Sequence, residues 1–167
     1  TQPAMKLISH AECYGDSIAI RQAETEYTYQ QLLHRSAVVA STISGSAEDL
    51  QESRVAYLIP GGFDYVTVQW GIWRAGGVAV PLSLSATEPE LEYTITDSDT
   101  QRVITNTELS TKLAPLCQRL GIPLTVVDEI SDGDPKPLPM IQPDRRAMIL
   151  YTSGTTNKPK GVVSTHA

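Results

Sequence analysis

Apolar positions along the chain fall into two alternating rhythms. Leu32, Leu33, Ala37, Ala40 and Ile43 recur at three- and four-residue spacing, which puts one apolar face on a helix that Thr28 caps and Gly45 ends. A short unbroken run, Arg54–Ile59, follows and reads as a buried parallel strand. Pro60, Gly61 and Gly62 then break the chain, and Phe63, Val66, Trp70 and Trp73 form a second helical stripe. Two tryptophans on such a stripe are read as core packing rather than as a ligand cage.

The alternation continues to the end of the chain. Gly76 and Gly77 close the second helix, and Val78–Leu82 is the next strand. Thr87 and Glu90 make a capping box, with Pro89 in the first helical turn and Leu91 and Ile95 supplying the apolar face. Arg102–Thr105 predicts a strand, Thr107–Leu120 a helix broken or restarted at Pro115, and Leu124–Val127 another strand. Upstream, Met5–Glu12 predicts a short helix, and Ser17–Arg21 and Glu26–Tyr29 a hairpin turning at Ala23–Thr25. About five strand–helix alternations predict an α/β fold, a mostly parallel sheet flanked by helices on both faces, with right-handed crossovers.

Residues 128–143 interrupt this order. Four prolines, several acids and one glycine make the segment a surface connection leading back to the strand Arg146–Tyr151. Beyond that strand lies the segment richest in chemistry, Leu150–Val163: hydroxyls at Ser153, Thr155 and Thr156, glycines at 154 and 161, lysines at 158 and 160. A glycine-containing turn lets backbone N–H groups approach an anion, hydroxyls add neutral donors and lysines add charge. Gly161–Val163 is β-prone, so the loop joins two strands as a hairpin tip. It has no helix dipole behind it. Lys160 precedes the last glycine, which disfavours a Walker A loop.

Composition narrows the function without naming it. With 167 residues the chain is long enough for one compact domain with a sizeable core. Net charge is −6 and the loop lysines are the only basic cluster, so a nucleic-acid surface is disfavoured. Cys13 and Cys117 stand far apart without ligand spacing and are read as small buried apolar residues, neither zinc ligands nor a disulfide. No apolar run is long enough to span a bilayer, and no signal-peptide pattern opens the chain. A cytoplasmic location is expected, or an organellar matrix if a targeting segment has been removed.

Clusters of Ser, Thr, Gly, Asn and Pro are ordinarily mere surface turns. Here the run YTSGTTNKPKG, Tyr151–Gly161, resembles at all positions but one the phosphate-loop signature of the adenylate-forming (AMP-binding) superfamily. Thr28–Leu32 and Trp73–Leu82 are similar to two further family segments. With Pro89–Asp99, Leu120–Leu124 and Val162–His166, the resemblance leans to the malonyl-CoA and methylmalonyl-CoA synthetase branch. One departure is Asn157, where the family has glycine; Asn tolerates positive φ better than most residues.

The resemblance implies a two-step ligation using ATP, Mg²⁺ and coenzyme A on a small carboxylic acid. It assigns Thr152, Ser153, Gly154, Thr155, Thr156, Asn157, Lys158, Pro159 and Lys160 to the β- and γ-phosphates, with Thr155 or Thr156 near Mg²⁺. Catalytic residues are expected downstream, since the chain carries none of the later family segments. Residues 1–167 are therefore expected to be the N-terminal portion of an AMP-binding domain, with the phosphate loop at 151–161 and no ligase activity of its own. His166 is read as a helix-start residue without a direct role, Thr165 as the start of that helix. An adenylation domain that loads a carrier protein, or a non-catalytic remnant of the fold, are the alternatives.

Overall fold

The computed structural model describes residues 5–152 and 158–167. A short helix, α1 (Lys6–Glu12), precedes a hairpin of β1 (Ile18–Gln22) and β2 (Thr25–Thr28). Then follow α2 (Tyr29–Ser44), β3 (Arg54–Leu58), α3 (Phe63–Arg74), β4 (Val78–Pro81), α4 (Glu88–Asp97), β5 (Thr100–Thr105), α5 (Thr107–Leu120) and β6 (Leu124–Val126). The chain closes with β7 (Arg146–Thr152) and β8 (Lys160–Thr165). Six strands form one sheet in the order β6-β5-β3-β4-β7-β8. All neighbours are parallel except the last pair, which is an antiparallel hairpin.

Local chemistry sets these boundaries. Thr28 accepts from the Gln31 N–H while Gln31 Oε1 accepts from the Thr28 N–H, and Thr87 and Glu90 do the same for α4. Strand alternation then separates two cores. Val55 and Tyr57 face α2 and α3 with Val39, Ile43, Val68 and Ile72; Ala56 and Leu58 face α4 and α5 with Leu91, Ile95, Leu113 and Leu116. Both faces are thus covered at the centre of the sheet, as the alternation predicts, while β8 is exposed along its length.

The described structure corrects three expectations. Helix α5 is continuous through Pro115, because Pro115 and the Thr111 carbonyl four residues back both lie on the exposed face, where water takes the orphaned acceptor. Cys13 is exposed at the end of α1, its thiol directed to the Ser9 carbonyl; only Cys117 is buried. The stripe Phe63, Val66, Trp70 and Trp73 is core packing, as expected: it meets Ile8, Ala11 and Leu32 in a third cluster, while Val68 and Ile72 on the other side of α3 meet the sheet. Thr165 ends β8, paired with Arg146, instead of opening a helix.

Residues 128–143 form a connection without strand or α-helix. This segment runs over the surface, yet it buries Ile130 and Ile141 and is pinned to α2. Arg35 donates to the Val127 and Ile130 carbonyls, and the Lys136 ammonium donates to the Gly45 and Ala47 carbonyls. Its hydrogen bonds go to Arg35 and Ser41 of α2 and to the backbone just past that helix, so no local pattern marks it as structured.

Candidate functional site: the phosphate hairpin

Strand β7 is parallel to β4, so Thr152 lies at the carboxyl edge of the sheet, the edge where open α/β sheets bind ligands. The return strand pairs Thr152 with Lys160, Tyr151 with Gly161 and Leu150 with Val162. Among the predicted site residues, Thr152, Lys158 and Lys160 are exposed and Pro159 is partly buried. Ser153, Gly154, Thr155, Thr156 and Asn157 lie outside the described residues. The expectation of a strand-to-strand loop without a helix behind it holds for both legs.

Several contacts fix the legs. Gly161 is needed for space: a Cβ there would lie 2.8 Å from Ile149 Cγ2 and 3.2 Å from the Tyr151 ring. The Tyr151 hydroxyl donates to Asp97 Oδ2 at 2.7 Å, and burial, followed by that bond, raises its pKa above the ordinary tyrosine value. The Tyr93 hydroxyl donates to the Pro159 carbonyl at 2.8 Å. Its ring meets Tyr151 edge-on at 6.4 Å and carries the Lys158 ammonium 5.3 Å from its centroid. A groove of about 750 Å³ opens beside them, lined by Leu82, Ser83, Tyr93, Thr94, Tyr151 and Lys158 among others.

Below the hairpin sits the strut that positions it. Trp73 Nε1 donates to the Ala147 carbonyl of β7 at 2.6 Å. Arg145 grips both carboxylate oxygens of Asp49 at 2.7 and 2.9 Å and donates to the Gly76 carbonyl at 2.8 Å. The Arg145 hydrogen bond is the main reason the Asp49 carboxyl sits below its ordinary pKa. Gly76 has φ +88° and faces the clamp so closely that a Cβ would overlap Asp49. The segment Trp73–Leu82 is therefore the mount of the hairpin.

His166, one residue past β8, stacks edge-on with Trp73 at 5.7 Å, and its N–H donates to the Arg145 carbonyl. Burial, then the Arg145 charge, lowers its pKa and favours the neutral ring. It belongs to the strut. Sequence reasoning missed Tyr93, Asp97 and the Asp49–Arg145 clamp; the helix and strand patterns around them gave no sign of pairings 54 to 96 residues apart.

In chemical terms, a Ser/Thr/Gly-rich sequence between two hairpin legs, with two lysines on the return leg at the carboxyl edge of a mostly parallel sheet, fits an α/β domain of the adenylate-forming type. The chain belongs to the AMP-binding enzyme family, which it matches over residues 7–167. It is 40% identical over 177 aligned residues to "Malonate--CoA ligase ACSF3, mitochondrial" of Mus musculus, covering 99% of this chain and 30% of that protein. The apo MatB structure from Rhodopseudomonas palustris matches with a TM-score of 0.79 at 26% identity, covering 98% of this chain and 35% of that one. The o-succinylbenzoate CoA synthetase (MenE) of Bacillus subtilis shares the fold with a TM-score of 0.85 at 23% identity, over 99% of this chain and 43% of that one. The chain thus spans about 30% of the length of the curated relative.

Proposed function

We propose that the complete protein is an ATP-dependent acid–thiol ligase acting on malonate or a related acid, and that residues 1–167 are the N-terminal portion of its AMP-binding domain. The single observation behind this reading is the 40% identity, across 99% of the chain, to a protein named malonate–CoA ligase. A carboxylate oxygen attacks the α-phosphorus of ATP, the bond to the β-phosphate oxygen breaks, and pyrophosphate departs. The thiol of coenzyme A, losing its proton, then attacks the acyl carbon and AMP leaves.

In this scheme the hairpin grips the β- and γ-phosphates. Lys158 and Lys160 stand on the return leg, exposed and free of ion pairs to the described residues, so their charge is available to a polyphosphate. Positioning and charge stabilisation are the chief means by which proteins assist transfer at phosphorus. Thr152, together with residues 153–157, supplies neutral donors. Among the described residues no group of three His, Cys, Asp or Glu side chains is placed to hold a metal. In this reading Mg²⁺ enters as the counter-ion of ATP, held chiefly by its phosphates, with Thr155 or Thr156 near it.

No described helix is long and apolar enough to cross a membrane. The relative's name carries the word mitochondrial, which supports an organellar matrix as the site of action over the cytoplasm. The direct test incubates the complete protein with ATP, Mg²⁺, coenzyme A and malonate, methylmalonate or fatty acids and weighs the thioester products. Malonyl or methylmalonyl thioester is the expected product; thioesters formed only from long-chain acids would overturn the substrate assignment.

A further inference from the structure

We propose that Tyr93 is a positioning residue for the phosphate hairpin, setting the return leg between Lys158 and Lys160; the inference rests on the ATP-ligase reading above. Leu91 and Ile95 bury one face of α4 in the core, and Tyr93 lies on the flank that meets the hairpin. Residues 93 and 97 are one helical turn apart, so their side chains stand side by side. Each holds one leg. Asp97 accepts from Tyr151 of β7 at 2.7 Å, and Tyr93 donates to the carbonyl of Pro159, just before β8, at 2.8 Å.

The choice of Pro159 matters. Its ring fixes φ and removes its N–H, so the Pro159 carbonyl is the peptide handle by which a neighbour can orient the backbone between the two lysines. Together with the ladder pairing of Lys160 to Thr152, the hydrogen bond to that oxygen sets where the two cations start. The Tyr93 ring adds a second control: with the ammonium of Lys158 5.3 Å from its centroid, it keeps that cation beside the hairpin by an attraction weaker than a charge-assisted bond to phosphate. An arriving triphosphate takes Lys158 over from the ring without the leg having to move. Glu92, the neighbour in sequence, points away and pairs with Arg119 of α5.

The test uses the complete protein with Tyr93→Phe, which removes the hydroxyl and keeps the ring. Hydrogen exchange of a peptide spanning residues 158–161 is expected to quicken about fivefold, and KM for ATP to rise about fivefold, the loss of one net hydrogen bond. KM for the acid and Tm stay at the wild-type values. Tyr93→Leu, losing the ring as well, raises KM for ATP about tenfold, and Glu92→Gln changes neither readout. Unchanged exchange in Tyr93→Phe overturns the latch and leaves the ligase reading standing. Faster exchange with an unchanged KM for ATP makes Tyr93 a structural strut and equally overturns the proposal. If the wild-type protein turns over no ATP with any acid while exchange still quickens, the ligase reading falls and takes the nucleotide role of Tyr93 with it.

Discussion

Two turns at the carboxyl edge of the sheet make an instructive contrast. Strand order β4-β3-β5-β6 places the topological switch point between β3 and β5, where a doubly wound sheet ordinarily opens a binding crevice. In this chain that crevice is spent on structure. The first N–H of α3, at Phe63, donates to Gln22 Oε1 at 2.9 Å, and Tyr27 of the β-hairpin stacks on Phe63 at 4.0 Å. The start of α5 is capped by Asn106 and again by Asp128, whose carboxylate accepts from the Thr107 N–H at 2.7 Å. Helix N-termini are natural anion sites, and here they are filled by side-chain oxygens, one of them anionic.

The β7–β8 hairpin shows the opposite disposition. No helix dipole supports it, yet its lysines have no acidic partner among the described residues. On the function proposed above, an anion is met where donors are left free, and not in the fold's habitual crevice. The two regions also differ in what holds them: the switch point rests on a buried apolar core, while the hairpin, whose β7 leg packs Met148 and Ile149 against the cores, depends in addition on polar contacts from Arg145, Tyr93 and Asp97.

The largest effect is expected at the strut. Arg145→Ala leaves Asp49 partly buried without its cation and is expected to cost the complete protein about 2–3 kcal/mol in urea denaturation; a loss below about 0.5 kcal/mol would mean that β7 does not depend on the clamp. Gln22→Ala should cost about 1 kcal/mol and leave KM for ATP unchanged. A rise in that KM would put the switch point back in the site and erase the contrast.

A smaller effect concerns acid. Asp49 and Glu52 are both held below their ordinary pKa, Asp49 first by the Arg145 guanidinium and Glu52 first by the Arg146 N–H. Their contribution is fully present above the unfolded-state values near pH 4 and is lost as pH falls through the lower folded values. Denaturation midpoints measured from pH 6 to pH 2 should therefore drop at the acid end by on the order of 1 kcal/mol, after allowance for solvent screening. Asp49→Asn should flatten part of that slope.

Most of the fold was legible in the sequence because its signals are local. Thr28 and Thr87 announce their helices by caps, and the apolar spacing of Leu91 and Ile95 marks the buried face. The hairpin too was readable from the glycines, hydroxyls and lysines between two apolar runs. What escaped depends on tertiary placement. Pro115 is tolerated because its side of α5 faces water, and Trp73 serves α1 and β7 as well as its own helix. Tyr93 reads as one more aromatic beside an apolar helix face until the hairpin is folded against it.

The most direct measurement is malonate-dependent ATP–pyrophosphate exchange by the complete protein, compared between the wild type and Lys158→Ala/Lys160→Ala. Loss of two charge-assisted contacts to the departing phosphates predicts a rise in KM for ATP of about a hundredfold, with Tm unchanged. Exchange by the double variant with the wild-type KM would contradict the assignment of the hairpin as the pyrophosphate grip.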